Sequence, residues 1–168
     1  MNFSLGFRQL KAAVFLGALA LTWPARAQMA PPAATATAAA PTWNTTLGTA
    51  LQQAKATNKP VLAVFSGSDW CKPCIMLKQE VFDQPEFSRF AMDKLVLARF
   101  DFPRNKKNKL PKEQALASDE AASKLNTEGS FPMVVLLSPE GKVLAKTGYR
   151  AGGPAVFDAY VQQVLDKK

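Results

Sequence analysis

A chain of 168 residues, 48% hydrophobic and 20% charged, has the composition of one globular domain and hardly the length for two. It contains no histidine, which excludes imidazole-based triads, His-containing metal sites and proximal-His haem ligation. Two cysteines are too few for a four-Cys zinc site or a disulfide-dense scaffold, and the formal charge of +8 raises the question of where the excess cations sit.

The chain opens with Arg8 and Lys11 as its first charges, then an apolar run from Ala12 to Leu21, then Ala25-Arg26-Ala27. A basic start, a short apolar stretch and small residues around a variable one form a bacterial-type signal peptide with cleavage before Gln28. The apolar run is about half the roughly 20 residues needed to span a bilayer, so residues 1–27 are expected to be removed rather than kept as an anchor. That removal takes away Arg8, Lys11 and Arg26 and no acid, lowering the charge from +8 to +5. The expected location is periplasmic or secreted. Residues 28–42, mostly Ala, Pro and Thr, have too few large apolar side chains to fold and are expected to form a disordered tether.

From residue 43 to 168 the patterns describe one domain. Leu47, Ala50, Leu51 and Ala54 predict a helix over 46–57, with Trp43 expected to anchor it, and Val61 to Phe65 is an apolar run suited to a strand buried on both faces. A second helix is predicted over 72–82, with Pro73 tolerated in its first turn, and a restart at Gln84-Pro85 carries Phe87, Phe90 and Ala91. A strand over 95–102 precedes the basic stretch Arg104, Lys106, Lys107, Lys109 and Lys112. That stretch lacks the interleaved aromatics that stack bases, so nucleic acid is not an expected partner; it reads as a solvated loop, with an acidic protein partner as the competing interpretation. A helix over 112–125, strands over 131–137 and 143–149 around the turn Pro139-Glu140-Gly141, and a helix opened by Pro154 complete the order. Crossover helices followed by a hairpin imply an α/β fold: a mixed central sheet of four or five strands with helices on both faces.

Both cysteines fall in Trp70-Cys71-Lys72-Pro73-Cys74, between a buried strand and a helix start. A thiol at a helix N-terminus meets unpaired N–H groups and the positive end of the helix dipole, which favour thiolate at Cys71. Cys74, one turn further on, is placed to resolve a mixed disulfide, and thiol–disulfide exchange needs this pairing of an attacking and a resolving sulfur. An inert staple is the weaker interpretation, because a four-residue loop gives only about 2 kcal/mol on the loop-entropy formula. A dithiol could also hold Cu(I), with a third ligand from Met76, Met133 or another protein.

The strand 61–65, the run Ser68-Asp69-Trp70-Cys71-Lys72-Pro73-Cys74, Phe131-Pro132 at a strand start and Gly148 before the last helix together resemble the thioredoxin superfamily, in particular its exported bacterial disulfide reductases. The resemblance covers most of residues 43–168. It implies catalysis by Cys71 as nucleophile and Cys74 as resolving thiol, no cofactor beyond their disulfide, no metal, and a cis Pro132 lying against the pair. Trp70, Lys72 and Pro73 are expected to support the pair and Phe131 and Met133 to contact the client, with ordinary packing as the alternative for the aromatics Trp70 and Phe131. Implied partners are exported proteins with disulfides and a membrane thiol electron donor.

Two departures stand out. Ala63-Val64-Phe65 lacks the carboxylate that many thioredoxins bury before the motif; Asp69, the nearest acid in sequence, is assigned to loop capping, which leaves proton handling to water or Glu80. The stretch 99–125 is longer than in a minimal thioredoxin. With Lys72-Pro73 rather than a histidine between the cysteines, reduction is favoured over oxidation or isomerisation, and a non-enzymatic binding module or copper chaperone is the alternative of another class.

Overall fold

In the computed structural model, which describes residues 40–167, local sequence signals become five strands and five helices around one mixed sheet. The expected leader, and the tether up to residue 39, lie outside the described residues. Among the described residues no helix is long and apolar enough to cross a membrane.

Strand β1 (Trp43–Asn44) leads into helix α1 (Leu47–Thr57), whose first turn is capped by the Thr46 hydroxyl accepting the Thr49 N–H at 3.1 Å. Asn58 closes α1 in the left-handed conformation at φ 53°, and Pro60 follows, where a helix cannot continue. Then come β2 (Val61–Ser66), α2 (Lys72–Leu77), α3 (Pro85–Lys94), β3 (Val96–Asp101), α4 (Lys112–Leu125), β4 (Met133–Leu137), β5 (Val143–Thr147) and α5 (Gly153–Leu165).

The sheet order is β1-β3-β2-β4-β5. β3 pairs in parallel with both β1 and β2, while β4 runs antiparallel to β2 and β5. Central β2 is buried at every position from Val61 to Phe65. Its alternation divides the core: Leu62 and Val64 join Phe82, Phe87, Phe157 and Val161 on one face, whereas Val61, Ala63 and Phe65 join Phe100, Ala50, Ala54, Ala121 and Leu125 on the other. Helices α3 and α5 thus cover one face and α1 and α4 the opposite one, as a strand apolar on both sides requires.

The structure differs from the sequence expectations in several of its elements, and β5 stops at Thr147 instead of reaching residue 149. Trp43 belongs to an edge strand instead of anchoring α1: its ring packs on Phe82 and Phe87, at centroid distances of 5.4 and 6.5 Å, and Arg99 lies 4.2 Å over it. The helix predicted over 72–82 is α-helical only to Leu77, and its last five residues, Lys78–Phe82, form a wider π turn that brings adjacent Val81 and Phe82 to the core. β4 begins at Met133 rather than Phe131, because Pro132 has no N–H to give the ladder.

Candidate redox site

The parallel strands β2 and β3 end level with each other, Ser66 opposite Asp101, and the loops leaving them build the site. After β2 the chain folds tightly: the N–H groups of Trp70 and Cys71 both donate to the Gly67 carbonyl, at 3.3 and 2.9 Å. Gly67 is buried beneath the Trp70 indole, which occupies the space a Cβ would need. This turn delivers Cys71 to the N-cap of α2, with Lys72 and Pro73 exposed in the first turn and Cys74 facing inward.

Cys71 and Cys74 are joined as a disulfide, S–S 2.07 Å with Cα atoms 5.2 Å apart. The Cys74 N–H points at the Cys71 sulfur, 3.3 Å away. In this oxidised state both residues are buried, Cys71 being 5% exposed and Cys74 3%.

Pro132 comes to the pair from β4. The Phe131–Pro132 peptide is cis, and Pro132 lines a cavity of about 340 Å³ together with Cys74. Gly148, after β5, runs so close to the Pro132 carbonyl that an added Cβ would sit 3.2 Å from that oxygen, which gives this glycine a packing reason. Phe131, half-buried, stands edge-on to Trp70 at 5.5 Å and to Phe102 at 5.3 Å. Met133, also half-buried, pairs across the sheet with Phe65 and packs into the core on the Phe65–Phe100 side. Met76 is half-buried on α2. Among the described residues no group of three or more His, Cys, Asp and Glu is placed to hold a metal ion.

The carboxylates reaching the Cys74 cavity are Asp83 and Asp101, with Lys78 and Arg99 as its cations. Glu80, one of the groups expected to handle protons, instead accepts the Tyr149 hydroxyl at 2.5 Å and is not among the residues lining that cavity. Asp101 accepts the Ser68 N–H at 2.9 Å and the Ser68 hydroxyl at 2.5 Å. Asp101 lies 27 residues beyond Cys74, too far along the chain for the motif itself to point to it. The signal was an acid ending a strand parallel to β2, since the carboxyl ends of parallel strands are where α/β sheets gather their functional groups.

Asp69 has the capping role expected of it, on a larger scale. Its carboxylate accepts the N–H groups of Arg104 and Asn105 at 3.0 and 2.9 Å and the Asn108 amide at 3.0 Å. These bonds, led by that from Arg104, hold its pKa below the usual carboxylate value. Trp70 adds a fourth tie, donating from Nε1 to the Phe102 carbonyl at 2.7 Å, and the Arg104 guanidinium stacks on the indole with Cζ 3.6 Å from the ring centroid. The basic loop is therefore fastened to the two residues that precede Cys71.

A Cys-x-x-Cys disulfide at the start of a helix that leaves the central strand of a mixed sheet is the arrangement of a thiol:disulfide oxidoreductase. The chain belongs to the thioredoxin-like family, whose model matches residues 42–139. It is similar to the disulfide bond reductase DsbH of Chlamydia pneumoniae, 36% identical over 116 residues that cover 69% of this chain and 68% of that protein. A second relative from Chlamydia pneumoniae, the thioredoxin-related protein DsbJ, is 29% identical over 107 residues, but the chain spans only 30% of its length. Among solved structures, a DsbH oxidoreductase superposes with a TM-score of 0.71 at 32% identity, covering 85% of this chain and 94% of that one. A thioredoxin from Thermus thermophilus, 20% identical with a TM-score of 0.56 and covering 75% and 88% of the two chains, shares the fold.

Proposed function

We propose that this protein is an exported disulfide reductase. The observation that carries the reading is the Cys74 N–H aimed at the Cys71 sulfur within a Cys-Lys-Pro-Cys turn. Once the disulfide is reduced, a donor in that position favours the anionic over the neutral sulfur and so prepares Cys71 as the nucleophile.

In the reductive direction the Cys71 thiolate attacks one sulfur of a client disulfide. The client S–S bond breaks, a bond from Cys71 to the client forms, and the displaced client sulfur leaves as thiolate and takes up a proton. Cys74, deprotonated, then attacks the Cys71 sulfur, which restores the Cys71–Cys74 bond and frees the second client thiol. Two electrons pass from the dithiol to the client, and the two protons lost by Cys71 and Cys74 are balanced by those the client sulfurs gain. Asp101 and Asp83, which share a cavity with Cys74, are the carboxylates suited to take its proton, directly or through water.

Pro132 supports the pair from β4, and Trp70, Lys72 and Pro73 shape the turn around it. Phe131 offers its half-exposed ring to the client, while Met133 serves mainly the core behind it. The direction of exchange rests on the Lys72-Pro73 dipeptide, which places no cationic imidazole beside the thiolate, and on the likeness to a disulfide bond reductase. Residues 1–27 direct export, residues 28–42 tether the domain, and exported proteins with disulfides are the clients. Cytosolic reductants do not reach that compartment, so a membrane thiol carrier returns electrons to the Cys71–Cys74 disulfide.

The deciding experiment is insulin reduction by the wild type and by Cys71→Ser, together with the equilibrium potential against glutathione. Turnover lost in Cys71→Ser and a potential of roughly −200 mV or lower fit the proposal; a value near about −120 mV marks an oxidase, and unchanged turnover in the variant excludes the dithiol mechanism.

A further inference from the structure

A second cavity, of about 740 Å³, includes in its lining the aromatic residues Trp70, Phe102 and Phe131 and the cations Arg104, Lys109 and Lys112; it reaches the redox turn through Trp70, the residue before Cys71. That volume is within the range of sites that take a ligand or a few side chains. From this groove we infer that the protein selects clients whose disulfide is flanked by acidic side chains, with Arg104 as the carboxylate receptor. The inference rests on the disulfide-exchange reading above and names the substrate class for that same site.

Three observations support it. First, the loop from Pro103 to Lys112 holds five cations and no acid, and none of the five forms an ion pair with a described residue. All five are exposed to solvent, and the loop that carries them is held against the redox turn by the three Asp69 bonds and the Trp70–Phe102 bond. Its positive charge is therefore displayed at a fixed place.

Second, Arg104 is oriented twice over. Its N–H on the backbone is taken by Asp69, and the face of its guanidinium lies on Trp70, which leaves the edge donors of the side chain without a partner among the described residues. A guanidinium held by its face presents its forked N–H edge to a carboxylate, and little side-chain entropy is lost when the pair forms.

Third, the groove joins this charge to an aromatic floor that includes the residue next to Cys71 and the residue next to Pro132. A client segment with a carboxylate on Arg104 would lay a neighbouring apolar side chain on Phe131 and Phe102 and bring its cysteine toward Cys71. Two carboxylates also line the groove, Asp101 and Asp119. Asp101 is turned to Ser68, and the three cations Arg104, Lys109 and Lys112 outnumber the two acids in the lining. A lysine-flanked client meets the same floor but is repelled by the rim.

The test compares two disulfide peptides of one sequence that differ only in carrying glutamate or lysine beside the cysteines. The wild type should reduce the acidic peptide with a kcat/KM about tenfold higher at low salt, and the gap should narrow as ionic strength passes about 0.15 M. Arg104→Glu, which keeps the backbone N–H to Asp69, should abolish or invert the preference, and Arg104→Gln should reduce it. Binding of cysteine-to-serine versions of both peptides, followed by tryptophan fluorescence, reads recognition without chemistry. Equal rates and equal binding for the two peptides overturn the inference, as does a preference that survives both Arg104 substitutions. A dimer in sedimentation that the acidic peptide dissociates would assign the groove to a second copy of this chain instead. Reduction of neither peptide, with the binding preference intact, would strike the reductase reading and leave recognition standing.

Discussion

The Asp69 carboxylate accepts the backbone N–H of Arg104 at 3.0 Å, so a residue two before the first cysteine fixes the start of a loop 35 positions away. Asp69→Ala should release that loop, and amide hydrogen exchange at Arg104 and Asn105 should quicken while core amides stay unchanged. Acid should lower the protection factors of the same two amides in the wild type, once the slower intrinsic exchange at low pH is corrected for. The folded pKa of Asp69 is depressed, so its clamp is fully present above the ordinary carboxylate value of 3.8 and is lost as pH falls through the lower folded value. Exchange at these two amides that ignores both the substitution and acidification would refute the clamp.

Gly67 meets Trp70 rather than open space, because the indole occupies the volume that any side chain at 67 would claim. Gly67→Ala is expected to displace the ring, break the 2.7 Å bond from Nε1 to the Phe102 carbonyl, and lower stability by about 1–3 kcal/mol, the usual cost of overpacking. A red-shifted tryptophan emission and a lower urea midpoint should appear together. An unshifted spectrum with unchanged stability would mean the turn relaxes without moving Trp70.

Asp158, half-buried on α5, has an Oδ1 with no hydrogen-bond partner among the described residues, and burial, assisted by the Glu86 charge, raises its pKa from 3.8 to about 6. A raised carboxyl pKa means that the folded state resists ionisation more than the unfolded state. The penalty is absent below about pH 4, grows as pH rises toward 6, and is constant above it. Asp158→Asn should therefore be more stable than the wild type at pH 7.5, by about 1 kcal/mol after solvent screening of a partly exposed group, and indistinguishable at pH 4. Urea midpoints of both proteins at the two pH values measure this; an advantage of equal size at both would exclude ionisation as its cause.

These relationships divide into those that a sequence can carry and those that it cannot. The strand Val61 to Phe65, the helix-start placement of Cys71 and Cys74, and the covering of both sheet faces were legible because each is written in a short stretch of chain with its own period or spacing. The fold class and the resemblance followed from them. β1 was not legible: two residues have no periodicity, and Trp43–Asn44 becomes a strand only because β3 offers an edge. The π turn at Lys78–Phe82 was hidden for a similar reason, since its apolar residues fit an α-helical face until the core shows that Val81 and Phe82 are both buried. Around the cysteines, local residues were foreseen, whereas Asp101 and Phe102 arrive through the parallel register of β2 with β3 and Arg104 through the Asp69 clamp. Long-range pairing places them, and a single sequence does not state its register.

Phe157 and Leu116 show how far burial separates two apolar residues that both lie on helices. Phe157 on α5 is fully buried, with Phe82 and Phe87 rings 5.6 and 6.1 Å from its own, whereas Leu116 on α4 is 59% exposed. Removing the Phe157 ring leaves a void beneath the π turn that also carries the wall of the Cys74 cavity, because Phe82 lines both. Phe157→Ala should cost about 3–5 kcal/mol, a large share of the roughly 5–15 kcal/mol that hold a domain of this size folded. Leu116→Ala should stay within about 0.5 kcal/mol of the wild type. Urea unfolding of the disulfide-bonded proteins separates the two, and a Phe157→Ala midpoint equal to that of Leu116→Ala would show that α5 is not held to the sheet through this aromatic cluster.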